Sequence, residues 1–205
     1  MIETLVAGGP VMIPIGLCSV VALATFLERM WSLRRGAVVP SSLCVELIEL
    51  LRQDRDGDAL TLCRKHNVSV ARVIEVAVEA RGRPRSQLKE RVEEVGRREA
   101  AELERYVPIL GTIASIAPLL GLLGTVGGMI LTFEVIAQQG GVTDVAPLAG
   151  GISQALITTF AGLSVGIPAV VANRYVLARV DALLVDMEEV ALGVIDLLAV
   201  HGDEA

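Results

Sequence analysis

The sequence predicts an all-α integral membrane protein: three transmembrane helices with long cytoplasmic helical extensions. Three observations predict it. The 205 residues are 53% hydrophobic and 20% charged, with a mean hydropathy of +0.60, values that a soluble domain of this length rarely combines. The charges are segregated, and runs 4–27, 106–133 and 145–173 hold none; each exceeds the roughly 20 apolar residues an α-helix needs to cross a bilayer core. The 18 Lys and Arg residues are equally segregated: 16 lie between Arg29 and Arg105, and the other two are Arg174 and Arg179.

Residues 1–28 read as a short periplasmic N-terminus followed by the first span. A signal peptide would place basic residues before its apolar stretch and a small-residue cleavage site after it. Here Arg29, Arg34 and Arg35 follow the stretch, so it reads as an uncleaved anchor. Basic residues mark the cytoplasmic side, which puts 29–105 inside.

The 29–105 block reads as a helical domain. SSLCVELIELLRQ opens on serines suited to an N-cap and has apolar residues at helical spacing. RDGD reads as the turn before ALTLCRKH, and SVARVIEVAVEARG ends at Gly82, a C-cap residue. After Pro84, RPRSQLKERVEEVGRREAAELERY carries Leu88, Val92, Val95 and Leu103 as an apolar stripe. Its Glu93–Arg97 and Glu94–Arg98 pairs have the favourable i, i+4 orientation, so the charge run is a solvated helix face. This helix is expected to continue directly into the second span, 106–137. From Ser86 to Gln138 it would be roughly 75–80 Å long.

A periplasmic loop, 138–146, holds QQGGVTD, and the third span, 147–173, leads into a cytoplasmic C-terminal helix, 174–205. There Val176, Val180, Leu183, Met187, Val190, Val194 and Leu197 recur every three or four residues, a spacing that suits a seam against neighbouring helices. Helices with apolar stripes outside the bilayer need neighbours, which points to an oligomer; the three spans imply membrane lipid as a further partner.

The net charge of −6 argues against a nucleic-acid partner, which calls for a basic face. Cys18, Cys44 and Cys63 have no metal-ligand spacing and read as packing residues; His66 and His201 read as solvated. No metal, cofactor or nucleophile–base pair is indicated, so an enzyme is not expected.

The polar residues of the spans are the informative ones. Gly121, Gly124 and Gly128 in the second span, and Gly162 and Gly166 in the third, read as packing positions, because small residues let helices approach closely in lipid. Thr125 shares the face of Gly121 and Gly128, and Thr158 lies one turn after Gln154, with Thr159 about 100° away. A threonine hydroxyl can bond the carbonyl one turn back, and a glutamine can join two helices; alternatively, these groups line a polar path. No Asp, Glu, Lys, Arg or His occupies the interior of any span, with Glu134 and Asp144 at the outer edge. A proton path normally needs an ionisable carrier within the membrane, so a conducting chain would take its carrier from another polypeptide.

IAPLLGLLGTVGGMILTF in the second span and GISQALITTFAGLSVGIPAVVANRY in the third resemble the MotA/TolQ/ExbB proton-channel family. The three-span plan is similar to its TolQ/ExbB branch. The resemblance implies an ion-driven motor subunit: a homo-pentamer around a single-span ExbD/TolR-like partner supplying an intramembrane aspartate, coupled to a TonB/TolA-like energy transducer. It also implies that Thr125 and Thr159 line the ion path, with Gln154 and Thr158 beside them. Gln154 stands where many relatives have a glutamate and cannot titrate. A non-conducting membrane scaffold is the alternative.

Overall fold

The computed structural model describes residues 8–138 and 146–200. Among these the chain is helical throughout, without strands. Helix α1 is Met12–Ser32, α2 Arg35–Val38, α3 Ser41–Arg52, α4 Asp56–Lys65, α5 Ser69–Glu79, α6 Arg85–Glu104, α7 Val107–Gln138 and α8 Ala146–Val200. Three helices, α1, α7 and α8, are long and apolar enough to cross a membrane. The chain divides into two compact units, the described parts of 1–29 with 106–176 and of 30–105 with 177–205.

In the first unit the buried positions of α7 form one stripe: Val107, Leu110, Ile113, Ala117, Gly121, Gly124, Gly128 and Thr132. Steps of three and four residues keep such positions on one helix face. The facing stripe of α8 is Ala155, Thr158, Gly162, Gly166 and Ala169. Ile113, Ala117 and Ala169 form a core on which Cys18, Val21 and Ala22 of α1 pack. Both long helices hold an internal proline, Pro118 and Pro168. The ring of Pro118 occupies the notch left by Gly166, where a Cβ would lie 2.6 Å from its Cγ.

In the second unit α3–α6 and residues 177–200 of α8 bury Leu47, Leu51, Val70, Ile74, Leu88, Val180, Leu183 and Val194. Of the expected seam on α8, Val176, Val180, Leu183, Met187 and Val194 are buried, and Val190 and Leu197 are partly so. Arg72 grips the buried Glu99 through Nε at 2.6 Å and Nη2 at 2.5 Å. That pairing raises the Arg72 pKa above its ordinary value. Burial pushes the Cys63 thiol up to about 11, with Glu75 adding to the shift. A thiol so far above neutrality stays protonated and unreactive, which suits a packing residue.

Several local expectations differ from what folds. Helix α3 begins at Ser41 with Pro40 at the N-cap position, and no side chain caps it. The turn before α4 is Gln53–Arg55 rather than RDGD: Asp54 takes a left-handed φ of 57°, which a short polar side chain tolerates, and Asp56 already opens α4. Gly82, with φ of 83°, lies two residues beyond Ala80, the residue that caps α5. Glu94 pairs with Arg98 at 2.5 Å as expected, but Glu93 pairs with Lys89 at 3.6 Å instead of Arg97.

The expected continuous helix from Ser86 to Gln138 is broken. α6 stops at Glu104 and α7 starts at Val107, with a turn at Arg105–Tyr106. Pro108 has no N–H to give the Glu104 carbonyl, and its ring clashes with a carbonyl four residues back, so the helix ends and restarts. By contrast α8 runs for 55 residues without interruption, about 82 Å. The expected loop 138–146, with Asp144, and His201 fall almost wholly outside the described residues.

Candidate ion-pathway site

Of the polar residues singled out in the second and third spans, Thr158 and Thr159 lie where α7 and α8 pack together. A Cβ on Gly121 would stand 3.1 Å from the Thr159 Cα and 3.3 Å from the Gly162 Cα. One on Gly128 would meet the Gly151 carbonyl at 3.0 Å, and one on Gly124 would overlap the Thr158 side chain. Gly121, Gly128 and Gly162 are therefore the empty half of a backbone-to-backbone contact, the arrangement that small residues permit in lipid, while Gly124 and Gly166 leave room for the Thr158 side chain and the Pro118 ring.

The hydroxyls differ in where they bond. Thr125 Oγ1 donates to its own helix at the Leu122 carbonyl, 2.6 Å away, and is partly exposed. Thr158 is fully buried. Its Oγ1 lies 2.8 Å from the Gln154 carbonyl one turn back and 2.9 Å from the Gly8 carbonyl of the N-terminal turn. Thr159 Oγ1 instead donates across the interface to the Gly121 carbonyl at 3.1 Å, and the residue is partly exposed. Thr125 and Thr159 thus retain access to a neighbouring group, whereas Thr158 is enclosed between Gly124 and Gly8.

Gln154 contacts a segment that sequence reasoning did not connect with it. Gly9, with φ of 71°, packs so closely under the Gln154 amide that a Cβ there would overlap Nε2. Gly9 is thus fixed twice over, by a backbone conformation that favours glycine and by the absence of room. Thr132 is a second residue missed from the sequence. It is 4% exposed, donates to the Gly128 carbonyl at 2.9 Å, and abuts Gly151. Its spacing, one turn after Gly128 and two after Thr125, is the signal that could have found it.

At the opposite end of this unit Arg29 is 5% exposed. Its guanidinium lies 5.0 Å over the Tyr106 ring and pairs with Glu28 at 2.5 Å. Phe26 meets Tyr175 edge-on with ring centroids 6.4 Å apart. The interior of the spans holds no Asp, Glu, Lys, Arg or His, and among the described residues no cluster of His, Cys, Asp or Glu could hold a metal ion. What the site offers is hydroxyl and amide groups in an apolar surround. Such groups can hydrate or accept a hydrogen bond from a carboxyl, but cannot themselves carry a proton.

Comparison with known proteins gives this arrangement its context. The sequence model of the MotA/TolQ/ExbB proton channel family matches residues 65–189. The biopolymer transport protein ExbB-like 1 of Synechocystis sp. is 31% identical over 176 residues, covering 85% of this chain and 69% of that protein. The Tol-Pal system protein TolQ of Haemophilus influenzae is 44% identical over 88 residues, 42% of this chain and 37% of its own length. The biopolymer transport protein ExbB of Aquifex aeolicus is 37% identical over 102 residues, 50% of this chain and 62% of its own length. With the family matched across the paired glycine faces and their threonines, the chain belongs to the MotA/TolQ/ExbB proton channel family.

Proposed function

We propose that the chain is the channel-forming subunit of an ion-driven motor, most consistent with a proton-driven one, in a bacterial inner membrane. It assembles as a homo-oligomer, a pentamer on the family resemblance, around a single-span ExbD/TolR-like partner. That partner contributes an intramembrane aspartate, and a TonB/TolA-like transducer carries the resulting work across the envelope. One observation supports this above the others: two partly exposed threonines, Thr125 and Thr159, stand on spans whose interiors contain no Asp, Glu, Lys, Arg or His. Such a seam is complete only beside a carboxylate from another chain.

The geometry supports a role for each residue. Thr125 and Thr159 offer hydroxyl oxygens to the partner's carboxyl as it gains and loses its ion. Gln154 and Thr158 hold the N-terminal turn and support the seam from behind. The glycine faces set the spacing of α7 and α8, so that the hydroxyls keep their positions. The test is reconstitution of the chain with its co-purifying single-span partner. Gradient-driven proton uptake that is lost when the partner's aspartate becomes asparagine is the expected result. A partner-bound chain that passes no ion would leave the scaffold reading in place.

The proposed orientation places 1–28 with a periplasmic N-terminus and the first span, 29–105 in the cytoplasm, spans at 106–137 and 147–173, loop 138–146 in the periplasm, and 174–205 in the cytoplasm. It rests on the confinement of all Lys and Arg to 29–105 and 174–179. A reporter fused after Glu75 should report cytoplasm, and one at Gly140 periplasm. A periplasmic signal after Glu75 would reverse the arrangement.

A further inference from the structure

Trp31 is the only tryptophan of the chain and is 72% exposed, one residue before the end of α1. The Arg34 guanidinium lies 5.4 Å from the centroid of its ring. The backbone around Arg34 is tied down on both sides. Leu33 is buried, and its carbonyl accepts a hydrogen bond from Arg179 Nε at 3.1 Å. The amides of Ala37 and Val38 donate to the Arg34 carbonyl at 2.8 and 3.2 Å. Arg35 is committed to Asp186 at 3.0 Å. Arg34 itself has no carboxylate partner among the described residues; its cation rests on the indole and otherwise faces outward.

We propose that Trp31 and Arg34 form a head-group site for an anionic phospholipid of the cytoplasmic leaflet. The proposal rests on the membrane orientation given above and adds a ligand to it. Tryptophan settles at the boundary of acyl chain and head group, because its ring is apolar on the face and polar at the N–H. A guanidinium stacked on that ring keeps its N–H edge for a planar, charge-assisted contact with phosphate. The cytoplasmic leaflet carries negative surface potential that attracts basic groups next to a span. The backbone that carries Arg34 is held in place before any lipid arrives, so binding orders little of the chain beyond the two side chains.

Because Trp31 is alone, its fluorescence reports on this site and no other. The purified full-length chain is reconstituted in mixed phosphatidylglycerol and phosphatidylcholine vesicles in which one lipid at a time is brominated on an acyl chain. Brominated phosphatidylglycerol should quench Trp31 beyond its mole fraction, with a relative binding constant about fivefold over phosphatidylcholine, the factor one basic side chain near an anionic surface confers. Arg34→Gln should bring that ratio to about one while Trp31 remains quenchable, and Arg52→Gln should leave it unchanged. Equal quenching by the two lipids in the unsubstituted chain, an undiminished preference in Arg34→Gln, or an equal loss in Arg52→Gln would overturn the site and leave the membrane orientation standing. Absence of quenching by either brominated lipid would overturn both, because it removes the end of α1 from the bilayer.

Discussion

Thr159→Val is expected to cut ion-driven output at least tenfold while expression and assembly stay intact. Valine keeps the shape of threonine and removes one hydroxyl, which in the structure donates across the interface to the Gly121 carbonyl at 3.1 Å. Interhelical hydrogen bonds in membranes average only about 0.6 kcal/mol, so packing alone predicts a nearly silent change. A hydroxyl that serves a partner's carboxyl is different. Its loss leaves that group without a bond in an apolar surround, at a cost on the order of 1–3 kcal/mol, and each 1.36 kcal/mol added to a barrier slows it about tenfold. Thr125→Val should behave similarly. Gln154→Ala should be milder, because that amide carries no proton. The measurement is output of the partner-bound complex normalised to membrane abundance; full activity in both threonine variants would favour a scaffold that does not conduct.

Gly162→Ala should damage the protein through its fold instead. The added Cβ would lie 2.6 Å from the Ala117 carbonyl oxygen and 2.9 and 3.0 Å from the Gly121 Cα and N. All three are backbone atoms, so no side chain can swing aside, and α7 and α8 must move apart. Overpacking of this kind costs about 1–3 kcal/mol, or roughly 2–12 °C of thermal midpoint at about 2–4 °C per kcal/mol for a chain of this size. Gly193→Ala is the matched control. Its Cβ meets nothing within 4 Å, so relief of glycine's poor helix propensity should stabilise it by up to about 1 kcal/mol. Thermal melts of both variants in detergent decide the matter, and a Gly162→Ala midpoint equal to that of the unsubstituted chain would remove the close-packing account.

The spans and the helical class could be read from the sequence because they depend on quantities that add along a segment, such as hydropathy and the 3.6-residue period. The seam of α8 was legible for the same reason, since Val180, Leu183, Met187 and Val194 repeat at helical spacing. The break at Arg105–Tyr106 was not legible from Pro108, because a proline alone does not say whether a helix ends: Pro118 and Pro168 sit inside helices that continue. Contacts between distant segments leave no periodic trace. Nothing in the sequence ties Gly9 to Gln154 or Arg72 to Glu99, and Glu99 looked like one more charge on a solvated face. Among the candidate hydroxyls, sequence spacing placed Thr158 and Thr159 on different faces. It could not say that one would be enclosed by Gly124 and Gly8 while the other reached Gly121.

Thr158 has a single hydroxyl hydrogen between two carbonyl oxygens, at 2.8 Å to Gln154 and 2.9 Å to Gly8. Only one of the two can hold that hydrogen fully at a time. If the N-terminal turn lifts away, the hydrogen passes to the oxygen of its own helix and no buried donor is stranded. The Gly8 contact is therefore a bond that can be surrendered without leaving a debt inside the membrane. Thr159 Oγ1 bonds instead to the Gly121 oxygen of the other helix, at 3.1 Å. Two adjacent residues of the same type thus fasten different things: Thr158 holds the N-terminal turn at Gly8, and Thr159 joins α8 to α7 at Gly121.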